Sequence, residues 1–385
     1  MDPADPALRW FPLIARPRPP CIALPRRVAA LRDLVDQAVR TGDPMPAVTA
    51  YNQAALIASD CGLPDLARRW CHDHARLYID AGPLSPALAR NALEPLVNLA
   101  RLRTRAGDGD GAYQLLDDLY RTITTGEPTT IDGIPVTPDL LTATPHERHQ
   151  LRRWLWTVLL SDGTRALTST GRWHDAHRHL QRHHGIGHRM HDGRQVAVLA
   201  HATTGDHHAA LTLLDATVPG ESWENAVTAC LKTLVYRAAG SDAAACTTTA
   251  IERFHALTPT AALTVFYVRL GLAIVRSANG LTTLDSARLT ARLAELAIAT
   301  GDGYTARDLL VDNDPTGLPS AQRRELVAVS ARCGLGAGRI SIETLDGLDT
   351  TIAAARAVLT ATLTFLTSSP QLSSSIASTS TAEVG

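Results

Sequence analysis

The sequence predicts an all-α chain, a solenoid of antiparallel helix pairs stacked one on the next. Two observations predict it. First, three short signals recur at nearly constant spacing: Gly171-Arg172-Trp173-His174-Asp175-Ala176, Gly205-Asp206-His207-His208-Ala209-Ala210 and Gly240-Ser241-Asp242-Ala243-Ala244-Ala245. Each reads Gly, four residues, Ala, and the glycines lie 34 and then 35 residues apart. A fixed period in that range marks stacked repeats, each a unit that cannot bury its apolar face alone. Second, the segments between such signals carry apolar residues at helical spacing, as in Val28, Leu31, Leu34, Val35 and Ala38.

The chemistry of the signal is simple. Glycine takes the left-handed backbone at low cost, so each Gly ends one helix. The Ala lies early in the next helix, where the pair crosses and a larger side chain would push the helices apart. The same unit occurs at Gly62/Ala67, Gly107/Ala112 and Gly301/Ala306, and Ala55 and Ala100 sit seven before the first two glycines. These features resemble the tetratricopeptide repeat (TPR) family, in a degenerate form. The departures are that the family's aromatic residues are mostly missing and that 45 residues separate Gly62 from Gly107. An irregular helical bundle is the alternative arrangement.

In chain order, residues 1–25 form a proline-rich arm with Pro12, Pro17, Pro19, Pro20 and Pro25. Proline blocks helix, so the arm is expected to be extended. Its Trp10 and Phe11 are expected to pack on the first helices; an arm that binds a partner or a phosphate is the other reading. Residues 26–124 read as N-terminal helical pairs: a helix over 26–40, a break at Gly42-Asp43-Pro44, then pairs over 46–60 with 64–79 and 86–106 with 109–123. Residues 125–146 interrupt the pattern. Asp132-Gly133 between β-branched residues is a hairpin signal that Pro135 limits to an edge, so this insertion is a loop or a small hairpin. It is also a place where the solenoid divides into halves. Residues 147–366 read as further repeats, with helices near 147–169, 173–184, 189–203, 206–216, 222–239, 242–256, 260–278, 283–299, 303–312 and 319–333. A helix over 347–367 is expected to close the stack by covering the last repeat. The Ser/Thr-rich tail, 367–385, is expected to be disordered.

Composition narrows the function. The 37 basic and 38 acidic residues leave a net charge of −1, so no global field draws nucleic acid or a membrane, and neither is expected as a partner. Arginine replaces lysine almost everywhere, Lys232 excepted, a bias that accompanies GC-rich bacterial coding. The six cysteines are scattered without a C-x-x-C pair, the acidic, proline-bearing start is not a signal peptide, and no run reaches the roughly 18–20 apolar residues of a membrane span. A reduced, cytoplasmic protein is expected.

Candidate chemistry is sparse. Ten histidines lie between His174 and His208, and His179 and His183 share a helix face. Zinc needs three or four converging ligands, and neither a nearby cysteine nor a His-Glu-x-x-His supplies them. A polar face of a surface helix is therefore expected, with no metal and no cofactor. Gly107-Asp108-Gly109-Asp110-Gly111 looks calcium-like, yet the twelfth residue from Asp108 is Leu119, so it reads as a repeat turn. Cys71 beside His72 reads as a core cysteine, because neighbours on a helix point about 100° apart.

The TPR resemblance implies a site of another kind. In that family the first helix of each pair lines a groove where partners bind. Registered on the glycines, this places Asn52, Ser59 and Asp60, then Asn98, Arg101 and Arg105, then Ser161 and Arg165, then Asp192 and Gln195, then Arg237 on that face. Arginine and amide groups suit an acidic or extended peptide. The peptide-binding candidates are Asn52, Asn98, Arg101, Arg105, Arg165, Gln195 and Arg237. The function implied is a non-catalytic scaffold for a protein or peptide partner, such as an accessory factor in peptide natural-product biosynthesis. The alternatives are a regulatory sensor module without its DNA-binding head and a His-dependent metalloenzyme.

Overall fold

The computed structural model describes residues 1–277, 283–312 and 318–368. Over these the chain is all-α, with one short hairpin. A 3-10 turn at Pro6–Trp10 precedes α1 (Leu24–Thr41), α2 (Met45–Asp60), α3 (Pro64–Ile79), α4 (Pro86–Arg105) and α5 (Gly109–Thr125). Then come β1 (Thr129–Ile131), β2 (Ile134–Val136), α6 (Pro138–Leu141), α7 (Pro145–Val158), a π turn at Leu159–Gly163 and α8 (Thr164–Ser169). The rest is α9 (Trp173–Arg182), α10 (Asp192–Thr203), α11 (His207–Asp215), α12 (Ser222–Ala238), α13 (Ala244–His255), α14 (Thr264–Ser277), α15 (Thr283–Thr300), α16 (Gly303–Asp312), α17 (Ser320–Arg332) and α18 (Ile342–Ser368). The expected tail over 367–385 lies, beyond the end of α18, outside the described residues.

The glycine signal works as the sequence predicts. Gly62, Gly107, Gly171, Gly205, Gly240 and Gly301 all have positive φ, between 62° and 85°. Ala67, Ala112, Ala176, Ala210 and Ala306 are fully buried in the first turn of the following helix. Ala245 is the exception, and the expectation for it is corrected: it is exposed. Helix α13 starts at Ala244, so its first turn is displaced along the sequence and Thr247 takes the buried fourth position instead.

The chain forms two compact units, each drawn from two separate stretches of the sequence. One contains Leu24–Ala166 and the residues from Gly336. Here consecutive helices α1 to α5 pack on one another, and α7 packs on α4 and α5. The hairpin is real: Thr129 pairs with Val136 and Ile131 with Ile134, with Asp132 and Gly133 both at positive φ in the turn. Ile131, Ile134 and Val136 are buried in the same core as α3 and α5, so the insertion plugs this unit and does not divide the chain. The expectation that the helix over 347–367 covers the last repeat is corrected: α18 belongs to this unit. It packs on α1, α2 and α3, where Leu348, Ile352, Ala355, Leu359 and Leu363 join the core. Its approach is set by Gly336 and Gly338, whose N–H groups donate to the Asp60 and Cys61 carbonyls at 2.7 and 2.8 Å.

The other unit contains Met1–Ala23 and Leu167–Leu335. Consecutive helices again pack pairwise, and the alternate helices α10, α12, α14 and α16 also touch in sequence, forming a row. The proline-rich arm belongs to this unit. The expectation that Trp10 and Phe11 pack on the first helices is corrected: the 3-10 turn at Pro6–Trp10 packs on α14.

Candidate functional site

The arm cannot satisfy its own backbone. Pro12, Pro17, Pro19 and Pro20 keep it from forming a helix, so its N–H and C=O groups need partners elsewhere. The α10–α16 row supplies them. The Leu13 N–H donates to Gln195 Oε1 at 2.7 Å, and Gln195 Nε2 donates to the Leu13 carbonyl at 2.7 Å. The same Nε2 donates to the Met190 carbonyl at 3.1 Å, which fixes the carboxamide. Gln195 is 0% exposed, so these bonds lie away from water. Further along, the Arg18 N–H donates to the Ala262 carbonyl at 3.0 Å. The Cys21 N–H donates to Asp302 Oδ1 at 3.1 Å, and the Cys21 carbonyl accepts from the Gly303 N–H at 2.8 Å and from Cys333 Sγ at 2.9 Å.

Side chains add specificity. Asp5 forms an ion pair with Arg237 of α12, whose Nη1 also donates to the Arg276 carbonyl at 2.6 Å. Trp173 Nε1 donates to the Pro3 carbonyl at 3.2 Å. The Arg269 guanidinium of α14 lies 5.6 Å from the Trp10 ring centroid while Nε pairs with Asp308 at 2.7 Å. Ala7, Leu8, Trp10, Phe11, Leu13 and Cys21 are all buried. Burial raises the Asp302 carboxyl above the ordinary aspartate range despite the N–H groups of Tyr304 and Cys21.

Two of the sequence-derived candidates, Gln195 and Arg237, thus meet on the arm. The others do not join them. Asn52, Asn98, Arg101 and Arg105 form a polar ladder in the α1–α7 unit. Asn98 Nδ2 donates to Asn52 Oδ1 at 3.1 Å, and Arg101 Nη1 donates to Asn98 Oδ1 at 2.9 Å. Arg101 also makes a bidentate pair with Asp162, at 2.9 and 2.8 Å, from within the π turn. Arg105 Nη1 reaches Ser59 Oγ at 2.9 Å and Asp60 Oδ1 at 3.2 Å, and Asp60 takes Arg27 Nη2 on its other oxygen at 2.6 Å. These arginines are already neutralised within the chain. Ser161 donates to the Thr157 carbonyl at 3.0 Å, Arg165 is exposed, and Asp192 opens α10 half-buried.

Sequence reading missed Trp173, Arg269, Asp302 and Cys333 as contacts of the arm. A signal existed for one of them. Arg269 and Arg276 repeat at one face of α14, and Asp308 and Asp312 repeat at one face of α16, with Arg276 Nε on Asp312 at 3.1 Å.

Other titratable groups lie away from the arm's contacts described above. His177 and His179 are buried, against the expectation of a solvated face; the His177 and His201 rings lie 5.2 Å apart and those of His179 and His183 4.8 Å. Burial, then the His201 and His174 charges, lowers His177 from its ordinary value. Among the described residues no three His, Cys, Asp or Glu side chains are grouped to hold a metal ion. Cys71 is buried, and burial pushes its thiol up to about 12. Asp108 caps α5 through the Gly111 N–H at 2.8 Å, as a repeat turn should. Asp132 accepts from Arg68 Nε at 3.0 Å and Arg103 Nη2 at 2.8 Å, with His72 Nε2 at 2.8 Å. Burial alone would raise its pKa, but the bonds from Arg68, His72 and Arg103 outweigh this and lower it.

Among the described residues no helix is long and apolar enough to cross a membrane. Compared with known proteins, the chain matches no family model and no curated protein.

Proposed function

We propose that this chain is a non-catalytic, TPR-like helical scaffold that binds a protein or peptide partner. One observation carries the reading: a face built from α10, α12, α14 and α16 holds residues 5–21, a 3-10 turn followed by an extended stretch, largely through that segment's backbone. Gln195 addresses both the N–H and the C=O of Leu13, which is how a sheet edge reads a strand irrespective of side chain. Arg237 adds a charge-assisted anchor for a carboxylate. The glycine-terminated pairs and the small residues at their crossings support the TPR-like description.

The test is a peptide-display selection on the folded, full-length chain. The reading expects saturable binders of one-to-one stoichiometry whose affinity falls with salt, because a carboxylate contact is partly screened. A selection that yields no saturable binder overturns it. Comparing Arg101→Ala with Arg105→Ala against Gln195→Leu then locates the site on one unit or the other.

A further inference from the structure

We propose that the α10–α12–α14–α16 face is a docking surface for a separate peptide, and that residues 5–21 are a tethered stand-in which that peptide displaces. This rests on the peptide-binding reading above. The partner is defined by the chemistry of the seated segment. It is a proline-bearing peptide that makes one 3-10 turn between a carboxylate and an aromatic ring five positions on, then runs extended to an apolar residue three beyond that, as Asp5, Trp10 and Leu13 are placed.

Two observations converge on exchange. The Gln195 contacts use only main-chain atoms of Leu13, so any extended segment reproduces them. The arm also fits its seat imperfectly. Trp10 is 6% exposed, and its Nε1–H is buried without a hydrogen-bond partner. A buried donor left unmade weakens the arm's hold, and a phenyl ring at that position avoids the penalty while keeping the Arg269 cation over its face.

The tether sets the competition. A segment joined to its own site by the chain acts at an effective concentration on the order of millimolar. A free peptide of the same sequence therefore binds the parent weakly, and loosening the arm reveals the affinity of the surface.

The experiment uses the full-length chain and a fluorescent peptide copying residues 3–21, in parent form and with Trp10→Phe. In the chain, Asp5→Lys places a cation against Arg237 and loosens the arm; Asp5→Asn is the milder version should Asp5→Lys lose helicity. The expected result is at least a tenfold gain in peptide affinity for the loosened chain over the parent. That gain disappears when Gln195→Leu is added, and the Trp10→Phe peptide binds more tightly than the parent peptide. If protease cuts the arm of the loosened chain faster and yet peptide affinity does not rise, the surface does not accept a partner and the inference fails. It also fails if both Asp5 variants unfold, which makes the arm part of the core, or if peptide binding ignores Gln195→Leu. Concentration-dependent dimers of the loosened chain by light scattering overturn it too, since the occupant is then the arm of a second copy. Display-selected peptides that bind normally but ignore all these variants leave the general peptide-binding reading standing while this inference falls.

Discussion

Replacing Gln195 by Ala tests the hold on the arm most directly. The change removes three hydrogen bonds at once: the acceptor for the Leu13 N–H, the donor to the Leu13 carbonyl and the donor to the Met190 carbonyl. Each orphaned buried group costs about 1–3 kcal/mol, but the vacated volume admits water that restores part of this. The net expectation is a destabilisation of about 2–5 kcal/mol, expressed first as release of the arm. Gln195→Glu separates the terms. It keeps an acceptor for Leu13 N–H but cannot donate to either carbonyl, and it buries a carboxylate, so it should be at least as damaging as Ala. Two measurements check this: chemical denaturation for the loss of stability, and hydrogen exchange at the Leu13 amide for the local opening. If Gln195→Ala unfolds at the parent midpoint and the Leu13 amide stays as protected as before, the carboxamide does not hold the arm and the argument from it is wrong.

Three further outcomes follow from buried groups. Ala176 and Ala210 are 0% exposed at helix crossings, so Ala176→Leu and Ala210→Leu should each lower stability by about 1–3 kcal/mol in denaturant melts; parental midpoints for both would remove them from the close contacts. His74 stacks on Tyr51 at 4.7 Å, and burial lowers its pKa to about 3, against about 6.5 in an unfolded chain. Between these values the unfolded state binds a proton the folded state refuses, so the contribution is present above about pH 6.5 and is lost as pH falls, by about 1.4 kcal/mol per pH unit. His74→Leu should flatten the acid limb of a stability–pH curve by that slope, and parallel curves would count against it. Asp132→Asn keeps a residue that tolerates the turn's positive φ but removes the charge shared by Arg68, His72 and Arg103. Because Arg68 and Arg103 return to water, the expected loss is about 1–3 kcal/mol, read as faster exchange at the 129–136 amides.

What the sequence made legible was local. Pro64 at the first turn of α3, with Gly62 before it, put that helix at 64–79, where it is found. Asp132-Gly133 marked the hairpin for the same reason, because its dihedral demand is written in two adjacent residues. The displaced start of α13 escaped because Gly240 keeps its phase while the helix after it does not. What escaped most was long-range. Leu13 meets Gln195 across 182 residues and Cys21 meets Asp302 across 281, and no periodicity encodes such pairings. Of the residues registered on the glycines, Gln195 and Arg237 contact the arm. The registration put Arg101 and Arg105 on a face too, without revealing that Asp162 and Asp60 already neutralise them.

The arm's partners also impose a timetable on biosynthesis. Residues 5–21 leave the ribosome well before their partners, since Asp302, Gly303 and Cys333 are added roughly 300 residues later. At about 5–20 residues per second, Trp10, Phe11 and Leu13 wait on the order of 15–60 s before their seat is complete. During that interval they form a short apolar stretch with prolines that resist helix, open to chaperones and to neighbouring nascent chains. Translation speed between the arm and Cys333 therefore governs how long this stretch stays uncovered. Slowing it should raise the yield of arm-misplaced protein before it affects any of the helices.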